Sequence, residues 1–172
     1  MGREVRRVPA SWQHPTDHTA RGPVYRPLWS GSFSHEKTEW EEQKAAWERG
    51  EYPDNLREEY RTLTWEEWCE AGAPNPDDYM PDWKPEECTH LQMYENCTEG
   101  TPISPVMDSP ESLARWLVDN RASAFGSETA TYEQWLRVCR GGWAPSAVMG
   151  STGDLRSSVA AITAAASDES KR

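Results

Sequence analysis

Apolar side chains recur at helical spacing through the middle of the chain. Trp40 and Trp47 are seven residues apart, which places both on one face of a helix. Ser34 is a typical helix N-cap and Gly50 a typical helix end, so the sequence predicts a helix between them. Further helices are predicted where capping residues precede apolar positions: after Pro53, after Thr64 with Glu67 as a capping box, after Ser109–Pro110, and after Thr131.

Alternation of side chains predicts a smaller amount of β-structure. In the segment 89–95, Leu91 and Met93 alternate with Gln92 and Tyr94. Two more strands are predicted near 4–8 and near 103–106.

These elements predict an α+β class, as a mostly helical single domain over residues 1–145. Its small β-sheet would be surrounded by four or five Trp-bearing helices. Residues 146–172 are rich in Ala and Ser and carry few large side chains. They are predicted to form a mobile C-terminal tail with a weak helix near 154–166.

The composition supports an aromatic core. Only 36% of the 172 residues are hydrophobic, but the chain has ten Trp and six Tyr. Each aromatic side chain buries a large area, so a core can form from few residues. A disordered chain is poor in aromatic residues, so we expect the middle of the chain to fold.

The charge is unevenly distributed. Residues 36–99 contain 19 acidic and 6 basic residues, a net charge of −13, whereas residues 1–35 carry a net charge of +3. Proteins that bind nucleic acid directly present a basic surface, so the sequence disfavours direct DNA or RNA binding. The acidic block indicates either a solvated surface or a face for a basic partner.

The chain shows no signal for a membrane. No apolar run approaches the ~20 residues that span a bilayer, and the charged start Met1–Arg7 lacks the apolar stretch of a secretory signal. We therefore expect a cytoplasmic protein. Its four cysteines are then predicted to be reduced thiols: Cys69, Cys88, Cys97 and Cys139.

The segment 97–117 has two interpretations. It is either a connection from a strand to a helix, stiffened by Pro102 and Pro105, or a recognition loop for a small ligand. In the second interpretation the contacts would come from polar residues in and beside it: His90, Glu99, Gly100, Thr101 and Ser104.

Metal and catalytic motifs are weak. Cys88, His90 and Cys97 are zinc-binding residue types, but no fourth ligand is evident and the cysteines lack the short knuckle spacing. The sequence therefore predicts no metal and no cofactor, with these three residues as the weak alternative. Carboxylates beside Trp allow a glycosidase site, but no acid pair is singled out. Because no phosphate-binding loop, dinucleotide fingerprint or nucleophile elbow is present either, an enzyme is not favoured.

Three arginines near the N-terminus also have two interpretations. Arg3, Arg6 and Arg7 either bind a phosphate group or pair with the acidic block of the chain itself, which would hold the N-terminus in place.

Two stretches of the sequence resemble a widespread group of small phage and prophage proteins. The first is Gly-Arg-Glu-Val-Arg-Arg-Val-Pro at 2–9, followed by Trp12 and His14–Pro15. The second is Thr-His-Leu-Gln-Met-Tyr-Glu at 89–95, then Glu-Gly-Thr-Pro-Ile-Ser-Pro-Val at 99–106 and the Ser-Pro-Glu helix start. The resemblance implies a phage origin and the host cytoplasm, but no biochemical activity.

These observations favour a phage accessory protein that binds a protein partner, most simply a basic host protein. A sharper hypothesis is a counter-defence inhibitor, directed at a CRISPR complex or a nuclease, whose acidic surface mimics nucleic acid in a basic groove. The partner-binding residues would be acids of the central helices: Glu41, Glu42, Glu48, Glu58, Glu59, Glu66, Glu67 and Glu70. The alternatives are a small ligand-binding or catalytic protein that uses the His90 and 99–104 region, and a minor virion component.

Overall fold

The computed structural model describes residues 2–96, 100–145, 147–149 and 155–159. They divide into two compact units, one formed by Leu28–Asp82 and the other by the segments on either side of it. We call these the central unit and the sheet unit. The single domain predicted over 1–145 spans both.

The sheet unit contains the strands and two helices. In chain order the strands are β1 (Arg3–Val8), β2 (Thr16–Thr19), β3 (Gly22–Tyr25), β4 (His90–Glu95), β5 (Thr101–Pro102), β6 (Trp143–Ala144), β7 (Ala147–Met149) and β8 (Leu155–Ser157). The central unit contains α1 (Phe33–Glu48) and α2 (Trp65–Trp68), and the sheet unit contains α3 (Pro110–Asp119) and α4 (Tyr132–Gly141). Two 3₁₀ helices, Glu58–Thr62 and Pro76–Asp78, belong to the central unit.

A four-stranded antiparallel sheet with the order β5-β4-β1-β6 organises the sheet unit. β1 and β4 pair over their full length, from Arg3 opposite Glu95 to Val8 opposite His90. The hairpins β2–β3 and β7–β8 form two further two-stranded sheets. The resemblance segments at 2–9 and 89–95 are therefore neighbouring strands.

One face of the sheet packs against α3 and α4. Successive residues of a strand point to opposite faces, so Leu91 and Met93 of β4 share a face, and both belong to the main core. The helices contribute apolar residues at helical spacing: Leu113, Ala114 and Leu117 from α3, and Trp135, Val138 and Cys139 from α4. Both helices begin after Ser109 and Thr131, as the sequence predicts, and in the structure each of these residues forms a capping box.

The central unit has a small aromatic core. Trp47, Leu56 and Trp65 are buried there, and the indole Nε1 of Trp47 donates a hydrogen bond to the Leu63 carbonyl at 3.0 Å. Partly buried neighbours complete the cluster: Trp40, Tyr52, Leu63 and Cys69. The predicted capping box of Thr64 and Glu67 is confirmed and starts α2.

The prediction of a mostly helical domain is wrong. Helices make up 34% of the described residues, and the sheet has four strands. The helix predicted after Pro53 is largely replaced by the 3₁₀ turn Glu58–Thr62, in which Tyr60 and Leu63 bond to carbonyls three residues earlier. α1 begins two residues earlier than predicted, because Ser32 rather than Ser34 is its N-cap.

Some predictions for β-structure also change. The strand predicted near 103–106 is observed at Thr101–Pro102, although the backbone N–H of Ile103 still bonds to the Met93 carbonyl. Within the predicted tail, Ala147–Met149 and Leu155–Ser157 are paired strands, so the helix predicted near 154–166 is wrong at 155–157. The other tail residues, apart from 158–159, lie outside the described residues. In the part of the chain that the structure describes, no helix has the length and apolarity to cross a membrane.

Candidate functional site

The central unit carries almost all of the net negative charge of the chain. Residues 28–82 contain fifteen Asp and Glu against five Lys and Arg, a net charge of −10, whereas the whole chain has −11. The sheet unit is therefore close to neutral. The charge imbalance of the sequence thus coincides with a structural unit.

The eight acids predicted to bind a partner all belong to this unit, and all are exposed. They lie on α1 (Glu41, Glu42 and Glu48), on the first 3₁₀ helix (Glu58 and Glu59), and on or just after α2 (Glu66, Glu67 and Glu70).

Several of these acids form ion pairs within the central unit. The pairs are Lys37–Glu41 (3.8 Å), Lys44–Glu48 (3.3 Å), Lys44–Glu66 (2.7 Å), Arg57–Glu59 (3.6 Å) and Arg61–Glu58 (3.9 Å). The hydrogen bond from Lys44 lowers the pKa of Glu66, and the Thr64 backbone N–H lowers that of Glu67. Exposed pairs of this kind contribute little to stability and leave the excess negative charge in place.

The arginines near the N-terminus are largely used inside the sheet unit. Arg3 is buried, donates from Nε and Nη2 to the Ser123 carbonyl, and lies 3.7 Å from Glu95. Arg6 donates from Nε and Nη2 to the Glu4 carboxylate at 3.1 and 3.0 Å. Arg7 is exposed. Pairing with the acidic block describes Arg3, whose partner Glu95 belongs to it, whereas Arg6 pairs with Glu4 outside the block.

The predicted ligand loop is partly taken up by structural contacts. The Ser104 hydroxyl is buried, accepts a hydrogen bond from the Met93 backbone N–H at 2.9 Å and donates to the Pro105 carbonyl. His90 Nδ1 contacts the Thr89 hydroxyl at 2.9 Å, and Gly100 adopts φ +89° in the turn before β5. Thr101 lies opposite Glu95 in the sheet. Glu99 lies outside the described residues.

The weak zinc alternative gains no geometry from the structure. Cys88 is half-buried before β4, and His90 is the first residue of that strand. Cys97 lies outside the described residues. Within the described ranges, no group of three His, Cys, Asp or Glu side chains is placed to hold a metal ion.

A buried polar cluster covers the second face of the sheet. The Tyr94 hydroxyl accepts a hydrogen bond from Trp12 Nε1 at 3.1 Å and donates to Gln92 Oε1 at 2.8 Å. His14 places Nδ1 3.2 Å from this hydroxyl and donates from Nε2 to the Arg26 carbonyl at 2.6 Å. Because these polar atoms partner one another, the cluster fixes residues 12–26 on the sheet and is a structural feature rather than an open site.

The central unit also contains a cleft that the sequence did not predict. It has a volume of about 420 Å³ and lies between α1 and the segment 69–79. The α1 wall is formed by Glu36, Glu39, Trp40 and Gln43, at positions i, i+3, i+4 and i+7 of the helix. Three residues of the remaining wall bear on its chemistry: Trp29, Asp78 and Tyr79. The helical spacing in the sequence could have indicated the α1 wall. No pattern among neighbouring residues indicated that Trp29 and the segment 69–79 would form the rest of the cleft.

Comparison with protein-family models, with curated proteins and with solved structures gave no match. The function is therefore argued from the charge and geometry of the central unit.

Proposed function

We propose that this chain is a phage accessory protein that acts in the host cytoplasm by binding a basic protein partner through its central unit. The observation that carries the proposal is the net charge of −10 on Leu28–Asp82, against near neutrality in the rest of the chain. Such a concentration of one charge sign steers an oppositely charged partner toward one part of the molecule.

The exposure of all eight acids supports the proposal, because their charges are accessible to another molecule. Arg3 and Arg6, the strongest internal candidates for neutralising them, are bonded inside the sheet unit. In its sharper form the protein is a counter-defence inhibitor. Its carboxylates would occupy the Lys- and Arg-lined groove that a nuclease or CRISPR complex uses for the phosphates of nucleic acid.

The test begins with the full chain as bait in infected host cells and continues with the dissociation constant for the captured protein. One variant neutralises four acids of the central unit: Glu41→Gln, Glu42→Gln, Glu58→Gln and Glu70→Gln. The matched control makes the same charge change on exposed acids of the sheet unit: Glu86→Gln, Asp119→Asn, Glu128→Gln and Glu133→Gln. We expect about tenfold weaker binding for the first variant, a steep loss of affinity with added salt, and little change for the control.

Equal effects of the two variants would remove the central unit from the interaction. The hypothesis that the protein mimics nucleic acid has a second test, because the protein and a nucleic acid must then compete for the partner. If a labelled duplex and the protein bind the partner at the same time, the mimicry hypothesis is rejected and only a general acidic interface remains.

A further inference from the structure

Backbone and side-chain hydrogen bonds fix the segments that form the cleft of the central unit. The backbone of Trp29 joins the segment 78–80, since it donates to the Asp78 carbonyl at 2.8 Å and accepts from the Met80 N–H at 2.9 Å. At the start of α1, the hydroxyls of Ser32 and Ser34 donate to the Asp82 carboxylate at 3.2 and 2.8 Å. The walls are therefore fixed by the fold, as is usual for binding sites.

The lining combines aromatic rings with carboxylates. Three rings, Trp29, Trp40 and Tyr79, and three acids, Glu36, Glu39 and Asp78, belong to it. The described lining contains no Lys, Arg or His, although the Nζ of Lys44, which is outside the lining, lies 5.9 Å from the centre of the Trp40 ring. Among described contacts, Glu39 is 4.0 Å from His35 and accepts a hydrogen bond from Gln43, whereas Glu36 and Asp78 make no ion pair.

Two features indicate that the cleft attracts positive charge. Trp29 is 50% exposed although it is a large apolar residue, so part of its ring is available to a ligand. Burial raises the pKa of Tyr79, and the negative charges of Glu36 and Asp78, which also line the cleft, act in the same direction.

We infer that this cleft binds an organic cation, a guanidinium or alkylammonium group, between the rings of Trp29, Trp40 and Tyr79 and the carboxylates of Glu36, Glu39 and Asp78. Aromatic faces attract cations through their quadrupoles, and adjacent carboxylates complete the charge. A phosphate or other anion would be repelled by the three acids.

The inference rests on the proposed function and gives it detail, because a basic partner supplies such a group on an Arg or Lys side chain. A free polyamine carries the same chemistry. The cleft would thus anchor one cationic side chain while the exposed acids around it supply non-directional attraction.

The experiment follows the indole N–H signals of the full-length protein by NMR, assigned with Trp29→Phe and Trp40→Phe. Three cations are titrated: N-acetyl-arginine amide, N-acetyl-lysine amide and spermidine. N-acetyl-citrulline amide, which has nearly the shape of the arginine probe without its charge, is the control. We expect the Trp29 and Trp40 signals to move and saturate with the cations, and citrulline to bind at least about threefold more weakly than arginine.

Matched variants of the central unit locate the site. Glu36→Gln with Glu39→Gln is expected to weaken cation binding by at least about threefold, whereas Glu51→Gln with Asp54→Asn changes the total charge equally at exposed positions outside the lining and leaves it nearly unchanged. The comparison of spermidine with the amino-acid amides is made at high salt, where the non-directional attraction of its extra charges is screened. Tighter binding of spermidine under that condition would assign the cleft to free polyamines, and the reverse would assign it to a partner's side chain. The inference would be overturned if the Trp29 and Trp40 signals did not shift with any of the cations, or if the citrulline and arginine probes bound equally well. If the double variant unfolds, the comparison of arginine with citrulline on the unaltered protein still decides.

The outcomes for the cleft and for the proposed function are separable. If the variant of Glu41, Glu42, Glu58 and Glu70 loses partner binding but the Trp29 and Trp40 signals do not respond to cations, the acidic interface is supported and the cation site is rejected. If those signals shift and saturate with cations but partner binding is the same in the charge variants, the cation site is supported and the acidic interface is rejected.

Discussion

The guanidinium of Arg6 lies over the ring of Tyr94, with 4.3 Å between its carbon and the ring centroid. Both side chains are buried, and they come from β1 and β4, nearly ninety positions apart in the chain. The contact covers the face of the sheet opposite α3 and α4. It explains how a strand with charged residues at most positions can be an inner strand, since one of its arginines serves as packing surface as well as a hydrogen-bond donor.

Removing the hydroxyl of Tyr94 is expected to destabilise the sheet unit. Tyr94→Phe leaves Trp12 Nε1 and Gln92 Oε1 without their partner in a buried environment. We expect a loss of about 1–3 kcal/mol in the free energy of unfolding, measured by urea denaturation. Tyr132→Phe, which keeps the ring under Arg115, is the control and should change little. Similar losses in the two variants would contradict the role given to the Tyr94 hydroxyl.

The stability of the fold is expected to depend on pH through His14. Burial lowers the pKa of His14 below 6.5, and the charge of Arg6 acts in the same direction, so the folded state binds fewer protons than the unfolded state. The stability that comes from the neutral ring of His14 is fully present above the pKa that this residue has in the unfolded state. It is lost as the pH falls through the lower pKa of His14 in the folded state.

The measurement compares the free energy of unfolding at about pH 8 and about pH 5.5, above the range where carboxylates titrate. The unaltered protein should lose more stability on acidification than His14→Gln, in which the other three histidines remain as a common background. An equal loss in both proteins would remove His14 from the pH dependence.

The end of α4 offers a test with adjacent glycines. Gly142 has φ +84°, and its carbonyl accepts a hydrogen bond from the Val5 N–H at 2.7 Å, whereas Gly141 is the last helical residue. Gly142→Ala is expected to cost about 1 kcal/mol, since an L-residue with a side chain rarely adopts that conformation. Gly141→Ala should be neutral or slightly stabilising, because a Cβ there meets nothing within 4 Å. Thermal unfolding of the two variants gives the comparison, and a greater loss at Gly141 would contradict it.

The central unit should depend strongly on one tryptophan. Trp47 is 6% exposed, packs with Leu56 and Trp65, and bonds to the Leu63 carbonyl. Trp47→Ala is expected to cost about 3–5 kcal/mol and to make residues 28–82 sensitive to proteolysis. The half-exposed Trp29 is the control, and Trp29→Ala should cost less than about 1 kcal/mol. A protease-resistant Trp47→Ala variant would show that the aromatic cluster is not the core of this unit.

The thiols should differ in reactivity. Cys139 is 4% exposed, and burial together with the charge of Glu111 raises its pKa to about 12. Because the thiolate is the reactive form, we expect iodoacetamide to modify Cys139 at least about tenfold more slowly than Cys69 in the native protein. Mass spectrometry of the peptides measures both rates, and denaturant should equalise them. Equal rates without denaturant would contradict the buried position of Cys139.

Local signals predicted several element ends correctly. The caps at Thr64, Ser109 and Thr131 are confirmed. Caps and turns depend on a few consecutive residues, so the sequence displays them directly. The amount of β-structure was underestimated, because the β2–β3 hairpin and the short strand β6 have no strong alternation of their own and are stabilised by pairing and packing.

The candidate sites could also be predicted only in part. The spacing in the sequence places four residues on one face of a helix, namely Glu36, Glu39, Trp40 and Gln43. The excess of acidic residues in the central unit can also be counted from the sequence. Trp29 and Asp78 are almost fifty positions apart, and backbone hydrogen bonds between Trp29 and the segment 78–80 bring them to the same wall of the cleft.

By itself the sequence determined where α2, α3 and α4 begin, which residues are acidic and that the acids fall in one segment, since these properties reside in neighbouring residues. The tertiary structure decided that β1 pairs with β4, that Arg6 covers Tyr94, and that a helix face becomes the wall of a cleft. Those outcomes depend on contacts between distant segments, whose free energy is gained only when both segments are in place.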